Sequence, residues 1–563
     1  ARVRSCGSTP RPASLTLSGS RDYDGSTAVA GSVLIANGVA GQTFSVTGAG
    51  AIGNLASKNV QTGGTLASLT GLALGTSTNG GLVSNYNVLG TAGSAVSITQ
   101  LPSVAWTSLS PGNWANPAHW AGGALPDGNN VAAVTIPVGA SVTYSNAVGA
   151  TQLTSLTSLG NLSVTGGSLT LGNVLTDQST VSGATLNLSG GQLTVNGSLQ
   201  ADVLRVGGGT LNGSGNLASP DFAQTGGSIA PSLSNLVLAS LGDFNLMSPL
   251  GATQSIALSS GGAIVDALSA GTAPSVSAPS VHLNAATGIG SAAAPLRLST
   301  TALSAATATG PIQLYNAPVG SVLLASLVTG DASDITYDQE GQALVVGTVS
   351  SQGGKILIDP PTDVTLNGAV STTGSITIEA LNNLVMAPGA TVNSGGGNVV
   401  LNAGGNIALA SVNAGTGNML IQTSGGQIGT VIPGFNNATA FDLTLDAQTG
   451  IQLAYIASAL HVSNVSGLIL LTDSLTGLTL SNQAPPTDTS LSQIVATVIQ
   501  QTVQPTGQTN ADEKPGDKKE EVPADKPATE TFVVGNTLVE KPADEIVRFD
   551  KLKGRTLMCR ARK

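Results

Sequence analysis

The sequence predicts an all-β chain. Its main body is expected to be a right-handed parallel β-helix, preceded by a small antiparallel β-sandwich. Three observations lead there. The first is two-residue alternation of aliphatic and polar side chains, as in Ser375-Ile376-Thr377-Ile378 and Asn398-Val399-Val400-Leu401, which puts every second side chain on one face of a strand. The second is recurrence: Gly374 to Thr391-Val392-Asn393, Gly397 to Ser411-Val412-Asn413, and Gly417 to Ile421 repeat one phrase every 20 to 23 residues. A unit that short cannot bury its apolar face alone and must stack on its neighbours. The third is composition: 73 glycines, 9% charged and 3% aromatic residues suit a narrow core of Val, Ile, Leu and Ala under a skin of Ser, Thr, Asn and Gln.

The same composition excludes several classes. Thirty acidic against 20 basic residues give a net charge of −10, dispersed and without the basic stripe that nucleic acid requires. Ser, Thr, Asn or Gly interrupts every apolar run before about 18 residues, so no transmembrane helix is expected. Cys6 and Cys559 stand at opposite ends of the 563 residues, which excludes a disulfide framework and a zinc ribbon. The chain opens on Ala1-Arg2-Val3-Arg4 with no charged-then-apolar secretion signal, so either a signal was removed or this is the carboxy-terminal piece of a longer exported polypeptide; the fragment is the favoured expectation.

Residues 13–100 carry strand-like alternations (Ala13 to Leu17, Gln42 to Val46, Ser94 to Ile98) between Gly and Asn turns, the pattern of a small sandwich. Residues 101–130 hold all three tryptophans, Trp106, Trp114 and Trp120. A Trp-rich segment before the first regular coils is expected to cap the apolar end of the stack; a sugar-stacking platform is the sharper alternative. Residues 131–485 are the predicted solenoid, with looser coils and longer loops between 217 and 350. At 20 to 23 residues per turn this gives roughly 15–17 coils and, at strand spacing, a rod of roughly 75 Å. Asn402, Asn406 and Asn413 are expected at turns, where stacked amides form ladders. Leu491, Ile494, Val495, Val498 and Ile499 have helical spacing, so 488–504 is expected to form a short capping helix over the last strand edge. Residues 505–530 read as a disordered charged linker, and 531–563 as a motif ending in Lys551, Lys553, Arg555, Arg560, Arg562 and Lys563.

Four landmarks in the first segment carry a resemblance. Tyr23-Asp24-Gly25, Lys58-Asn59-Val60, Ser68-Leu69-Thr70-Gly71-Leu72 and Asn85-Tyr86 follow in an order and spacing that resembles the YDG repeat module of filamentous haemagglutinin-like adhesins. The Trp-rich segment is similar to the openers of β-helical blocks in such proteins. The resemblance implies the carboxy-terminal portion of an exoprotein of a Gram-negative bacterium, exported through the outer-membrane pore of a two-partner secretion system. It implies secretion or display at the cell surface, with host-cell or bacterial surface glycans and proteins as partners. Related adhesins tether their terminus, sometimes through a cysteine pair; here Cys559 alone is available.

No residue pattern in the sequence points to a catalytic, cofactor-binding or metal-binding site. Gly48, Gly50 and Gly53 match a dinucleotide pattern, but a strand follows them instead of a helix. Asp331, Asp334, Asp338 and Glu340 form the densest acidic patch of the body; solvated loop charges, a calcium site and glycoside hydrolysis are weighed for it in that order. Lyase-type catalysis needs a basic partner, and between 101 and 480 the only Lys or Arg residues are Arg205, Arg297 and Lys355. His119, His282 and His461 are scattered: His119 is expected to pack within the Trp segment, the others to face solvent or a loop. Formal glycosylation sequons start at Asn161, Asn187, Asn196, Asn212, Asn437 and Asn464. The expected function is therefore structural and adhesive, not enzymatic. A polysaccharide-active β-helix enzyme and an autotransporter passenger are the alternatives.

Overall fold

The computed structural model describes residues 12–482 apart from 49, 51, 269, 270, 272, 464, 465 and 478, together with 530–534 and 537–541. It is nearly all β, with a parallel β-solenoid of about 16 turns behind a small, mainly antiparallel sheet region. The only helical segments among the described residues are short 3-10 turns. The chain forms two compact units, Ala1–Thr301 and Ala302–Lys563.

In the first unit, a 6-stranded sheet and a 3-stranded sheet make up the amino-terminal module. Alternation buries Leu17, Leu34, Ala36, Phe44, Val46, Val96 and Ile98 from the larger sheet, and Val29, Leu55 and Leu66 from the smaller. One pair departs from the expected antiparallel order: Thr16–Asp22 runs parallel to Ala95–Thr99, with Gly19 opposite Val96. Half-buried strands alternate in the same way whichever direction the neighbour runs, so the sequence pattern does not distinguish the two.

The solenoid begins earlier than the expected boundary at 131. Leu101–Ala105 already lies in parallel register with Val131–Ile136, so the Trp-rich segment supplies the first rung itself. From there the apolar columns stack. Leu199, Leu217, Leu236, Ile256 and Val281 are successive register partners, in steps of 18, 19, 20 and 25 residues. All are 2% exposed or less. Longer turns absorb the spread in step length, and this is why the repeat looks loose in the sequence.

In the second unit Ile335, Ile356, Ile376, Val399, Met419 and Leu443 form the equivalent column. None exceeds 1% exposure, and burial of each such side chain stabilises the fold by roughly 1.5–3 kcal/mol. The interior also holds one satisfied polar chain. Asn316 Nδ2 donates to the Tyr337 hydroxyl (3.0 Å), which donates to Gln339 Oε1 (2.7 Å), and Gln339 Nε2 reaches the carbonyls of Gly341 and Gln342. Turn ladders run outside: Asn383 Oδ1 accepts from the Asn406 amide (2.9 Å), and Asn406 Oδ1 from that of Gln427 (3.1 Å). Asn413 ends its strand and accepts from the Gly415 amide. Asn402 is a correction: it lies within the strand Val399–Ala403, not at a turn. Antiparallel strands Glu530–Val534 and Thr537–Lys541 pair near the carboxy terminus. The expected helix at 488–504, the linker up to 529 and the terminal basic run with Cys559 lie outside the described residues.

Candidate functional site

Two groups of polar side chains stand out: a junction in the first unit and a carboxylate column in the second. The junction gathers most of the module's motif. Tyr23 is 1% exposed, and its hydroxyl lies 2.9 Å from the Leu125 carbonyl oxygen and 3.1 Å from Asp127 Oδ1. Burial, with the neighbouring Asp127 carboxylate, pushes the Tyr23 phenol upward, so it stays a neutral donor. Lys58 Nζ pairs with Asp127 Oδ2 at 2.8 Å. Asn130 Nδ2 bridges Asp127 Oδ1 (2.7 Å) and Asn59 Oδ1 (3.1 Å), while Asn130 Oδ1 accepts the Val60 amide at 2.8 Å. Gly25 has φ +78°, and a Cβ there would sit 2.5 Å from the Gly123 carbonyl oxygen. Asp24 is exposed and turns inward on its own loop, binding Arg21 and the Ser26 amide.

The end of the motif is elsewhere in the module. Tyr86 packs edge-on against Phe44 at 5.0 Å, and its hydroxyl donates to Gln42 Oε1 and accepts from the Val39 amide. Asn85 contributes its carbonyl to the Ala13 amide. Asp127 and Asn130, the receiving side of the junction, were not singled out by the sequence; they lie 69 to 104 residues from their partners, and nothing local marks them.

The three tryptophans are interior, at 2% exposure or less. Trp106, Trp114 and Trp120 meet edge to face at 4.8–5.0 Å, and Trp114 continues into Tyr144 at 5.3 Å. Each indole N–H is bound to a carbonyl: Trp106 to Ser108, Trp114 to Pro126, Trp120 to Trp114. A stacking platform presents an open ring face, and these rings have none. His119 packs on Trp106 at 4.8 Å.

The acidic patch separates. Asp331 accepts from the amides of Ser333 and Gly310, Asp334 from that of Lys355 at 2.7 Å. Hydrogen bonding from the Ser333 side chain, followed by that from the Gly310 amide, holds the Asp331 carboxyl below its usual range. Glu340 accepts from the Tyr315 hydroxyl at 2.7 Å; burial and then Glu340 push that phenol up to about 12. Asp338 joins residues the sequence reading passed over. Along the outer face, Tyr315, Asp338, Asp359, Glu379, Asn402, Gln422 and Asp446 occupy one column on successive rungs. Burial, then Asp359, then Glu340 push Asp338 up to about 6. Burial and the adjoining Asp359, which it also hydrogen-bonds, push Glu379 up to about 7. Asp359 is raised by burial, against the bond from Glu379. The signal was present: one period from Asp338 lands on Asp359, and a second on Glu379.

No group of three His, Cys, Asp or Glu side chains placed to hold a metal ion occurs among the described residues. Arg205 pairs with Asp221 at 2.8 Å and Arg297 with Asp266 at 3.0 Å. Lys355 is exposed, as is His282. His461, expected to face solvent or a loop, is half-buried and meets Asp442 at 3.1 Å. Gly48 and Gly50 precede the strand Ile52–Leu55, and Gly53 lies within it. Asn437 of the sequons is interior at 1% exposure, and Asn464 lies outside the described residues. No helix among the described residues is long and apolar enough to cross a membrane. No family model, curated protein or solved structure matches the chain.

Proposed function

We propose that the chain is a structural, adhesive part of a surface exoprotein of a Gram-negative bacterium, displayed through a two-partner secretion pore. One observation carries this. A face of the second unit repeats short, neutral polar side chains rung after rung: Ser350, Ser371, Asn393, Asn413 and Thr439 are successive register partners, all exposed or half-buried. The parallel column Ala369, Thr391, Ser411 runs beside it. Short hydroxyl and amide groups at one-rung spacing suit many weak simultaneous contacts with a repetitive surface, where avidity replaces a single pocket. The module landmarks add the family resemblance. Binding of the purified chain to immobilised host cells and to bacterial polysaccharides tests it. Retention that rises steeply with ligand density is expected; no retention on any surface overturns it.

The carboxylate column supports a second reading, a polysaccharide-active enzyme. Asp338 at about 6 and Glu379 at about 7 lie in the range where a carboxyl can serve as general acid near neutrality. This reading expects turnover of uronate polymers between about pH 5 and 7, abolished by Asp338→Asn and by Glu379→Gln. An inactive chain on such a panel, with and without calcium, removes it.

A further inference from the structure

We propose that the amino-terminal module is the cap of the β-solenoid, and that Tyr23, Gly25, Lys58, Asn59 and Val60 clamp the turn Gly123–Asn130 so that the first rung stays closed. The inference is independent of what the outer faces bind.

A solenoid has two ends where backbone groups and apolar columns lack a next rung, and repeat proteins need an atypical element there. The strand Leu101–Ala105 is such an end: among the described residues its ladder partner is Val131–Ile136, on one side. Its other edge is a row of backbone donors and acceptors ready to pair with a foreign strand. The segment that turns from this first rung into the second is short of regular structure; beyond local turn bonds it is held at Gly128, which exchanges backbone bonds with Ala150 and Gln152, and at the Pro126 carbonyl, which accepts from Trp114 and Thr151, and none of these bonds reaches the Asp127 carboxylate. The module supplies what that turn lacks.

The clamp is chemically mixed. Gly25 gives close backbone approach against Gly123, which a side chain would block. Lys58 neutralises Asp127, and Tyr23 and Asn130 donate to its other oxygen, so this carboxylate is satisfied at both atoms. Asn130 faces both ways, holding Asn59 and Val60 with its side chain and the first rung with its backbone, since its carbonyl accepts the Leu101 amide at 2.9 Å. The bond from the Tyr23 amide to the Thr99 carbonyl ties the motif to the residues that run into that rung. Motif residues therefore act here as positioning residues on the chain's own first coil. Asp24, exposed and bound only within its loop, takes no part.

The test is hydrogen–deuterium exchange on the full chain. Lys58→Ala combined with Asn130→Ala is expected to raise amide exchange at 101–105 and 131–136 at least tenfold, with rungs 335–445 unchanged. The exchanged pair Lys58→Asp with Asp127→Lys is expected to recover most of the protection, and Asp24→Ala to leave it unaltered. Unchanged exchange at 101–105 in the double variant overturns the proposal. So does an increase spread evenly over all rungs. If the double variant fails to fold, the reversed pair decides: protection no better than that of Lys58→Asp alone also overturns it.

Discussion

The two units bury carboxylates on the same kind of ladder and treat them in opposite ways. In the first unit the Asp266 side chain is 1% exposed and lies against Arg297, with Ser275 and the Leu268 amide also donating to it. Burial works against its charge, yet the bonds from Arg297 and Ser275 win and hold it below the usual range. In the second unit Asp338, Asp359 and Glu379 stack one rung apart with a tyrosine and further acids beside them, and are pushed upward. Strand spacing of about 4.8 Å makes each outward residue the near neighbour of its register partner. A parallel ladder thus amplifies whatever the repeat places in one column. One cation from the next rung turns a buried carboxylate into an anchor; repetition of the acid turns it into a proton store.

Removing the cation should give the largest effect. Arg297→Ala leaves Asp266 charged, buried and short of its main donor, and truncating one partner of such a pair costs about 3–5 kcal/mol. Urea unfolding followed by a probe in the first unit measures it. Arg297→Met with Asp266→Asn should recover most of the loss. A loss below about 1 kcal/mol would place the pair with ordinary surface bridges and end the contrast. Because the folded-state pKa of Asp266 is depressed, its contribution is present above the unfolded value and is lost as pH falls through the folded one.

The carboxylate column has the reverse sign. Groups whose folded pKa is raised destabilise the native state when ionised, so the second unit should gain stability as pH falls through about 7 and about 6 toward the unfolded values. Glu379→Gln should stabilise it at pH 8 by about 1–3 kcal/mol and flatten that pH dependence. Denaturation midpoints at pH 8 and pH 5 check both; a wild-type chain equally stable at the two would remove the proton-store description. A smaller loss is expected inside the same unit. Tyr337→Phe keeps the packing but leaves Asn316 and Gln339, both buried, without their shared hydroxyl. That costs about 1–3 kcal/mol by the desolvation of orphaned polar groups, read as a lower unfolding midpoint.

How much of this was legible follows the range of the interactions. The coils were, because alternation and the 20-to-23-residue phrase are local patterns that each rung repeats. The column of Asp338, Asp359 and Glu379 was legible in principle, since its members differ by 21 and 20 residues. Closeness along the chain groups Asp338 with Asp331 and Asp334, which serve turn amides, while its spatial neighbours lie one rung away. The junction was half legible. Tyr23, Gly25 and Lys58-Asn59-Val60 form a visible pattern, whereas Asp127 and Asn130 look like ordinary turn residues until the module docks on them. The parallel pair between Thr16–Asp22 and Ala95–Thr99 leaves no trace in side-chain alternation at all.

The turn ladders give the smallest effect and the finest test of amplification by the repeat. Asn406 takes part twice: its amide donates to Asn383 Oδ1, and its Oδ1 accepts from the Gln427 amide. Asn406→Ala keeps the first bond, which belongs to the backbone, and removes the second. Because Asn406 is exposed, water replaces the lost acceptor, and the net loss should be about 0.5–1.5 kcal/mol. Asn406→Asp preserves an acceptor and should cost less. Exchange at the Gln427 amide should rise in the alanine variant while that of Asn406 itself stays protected. If both amides open together, the ladder is cooperative across rungs, and stacking one repeat on the next would then multiply weak turn contacts as it multiplies the effects of buried charge.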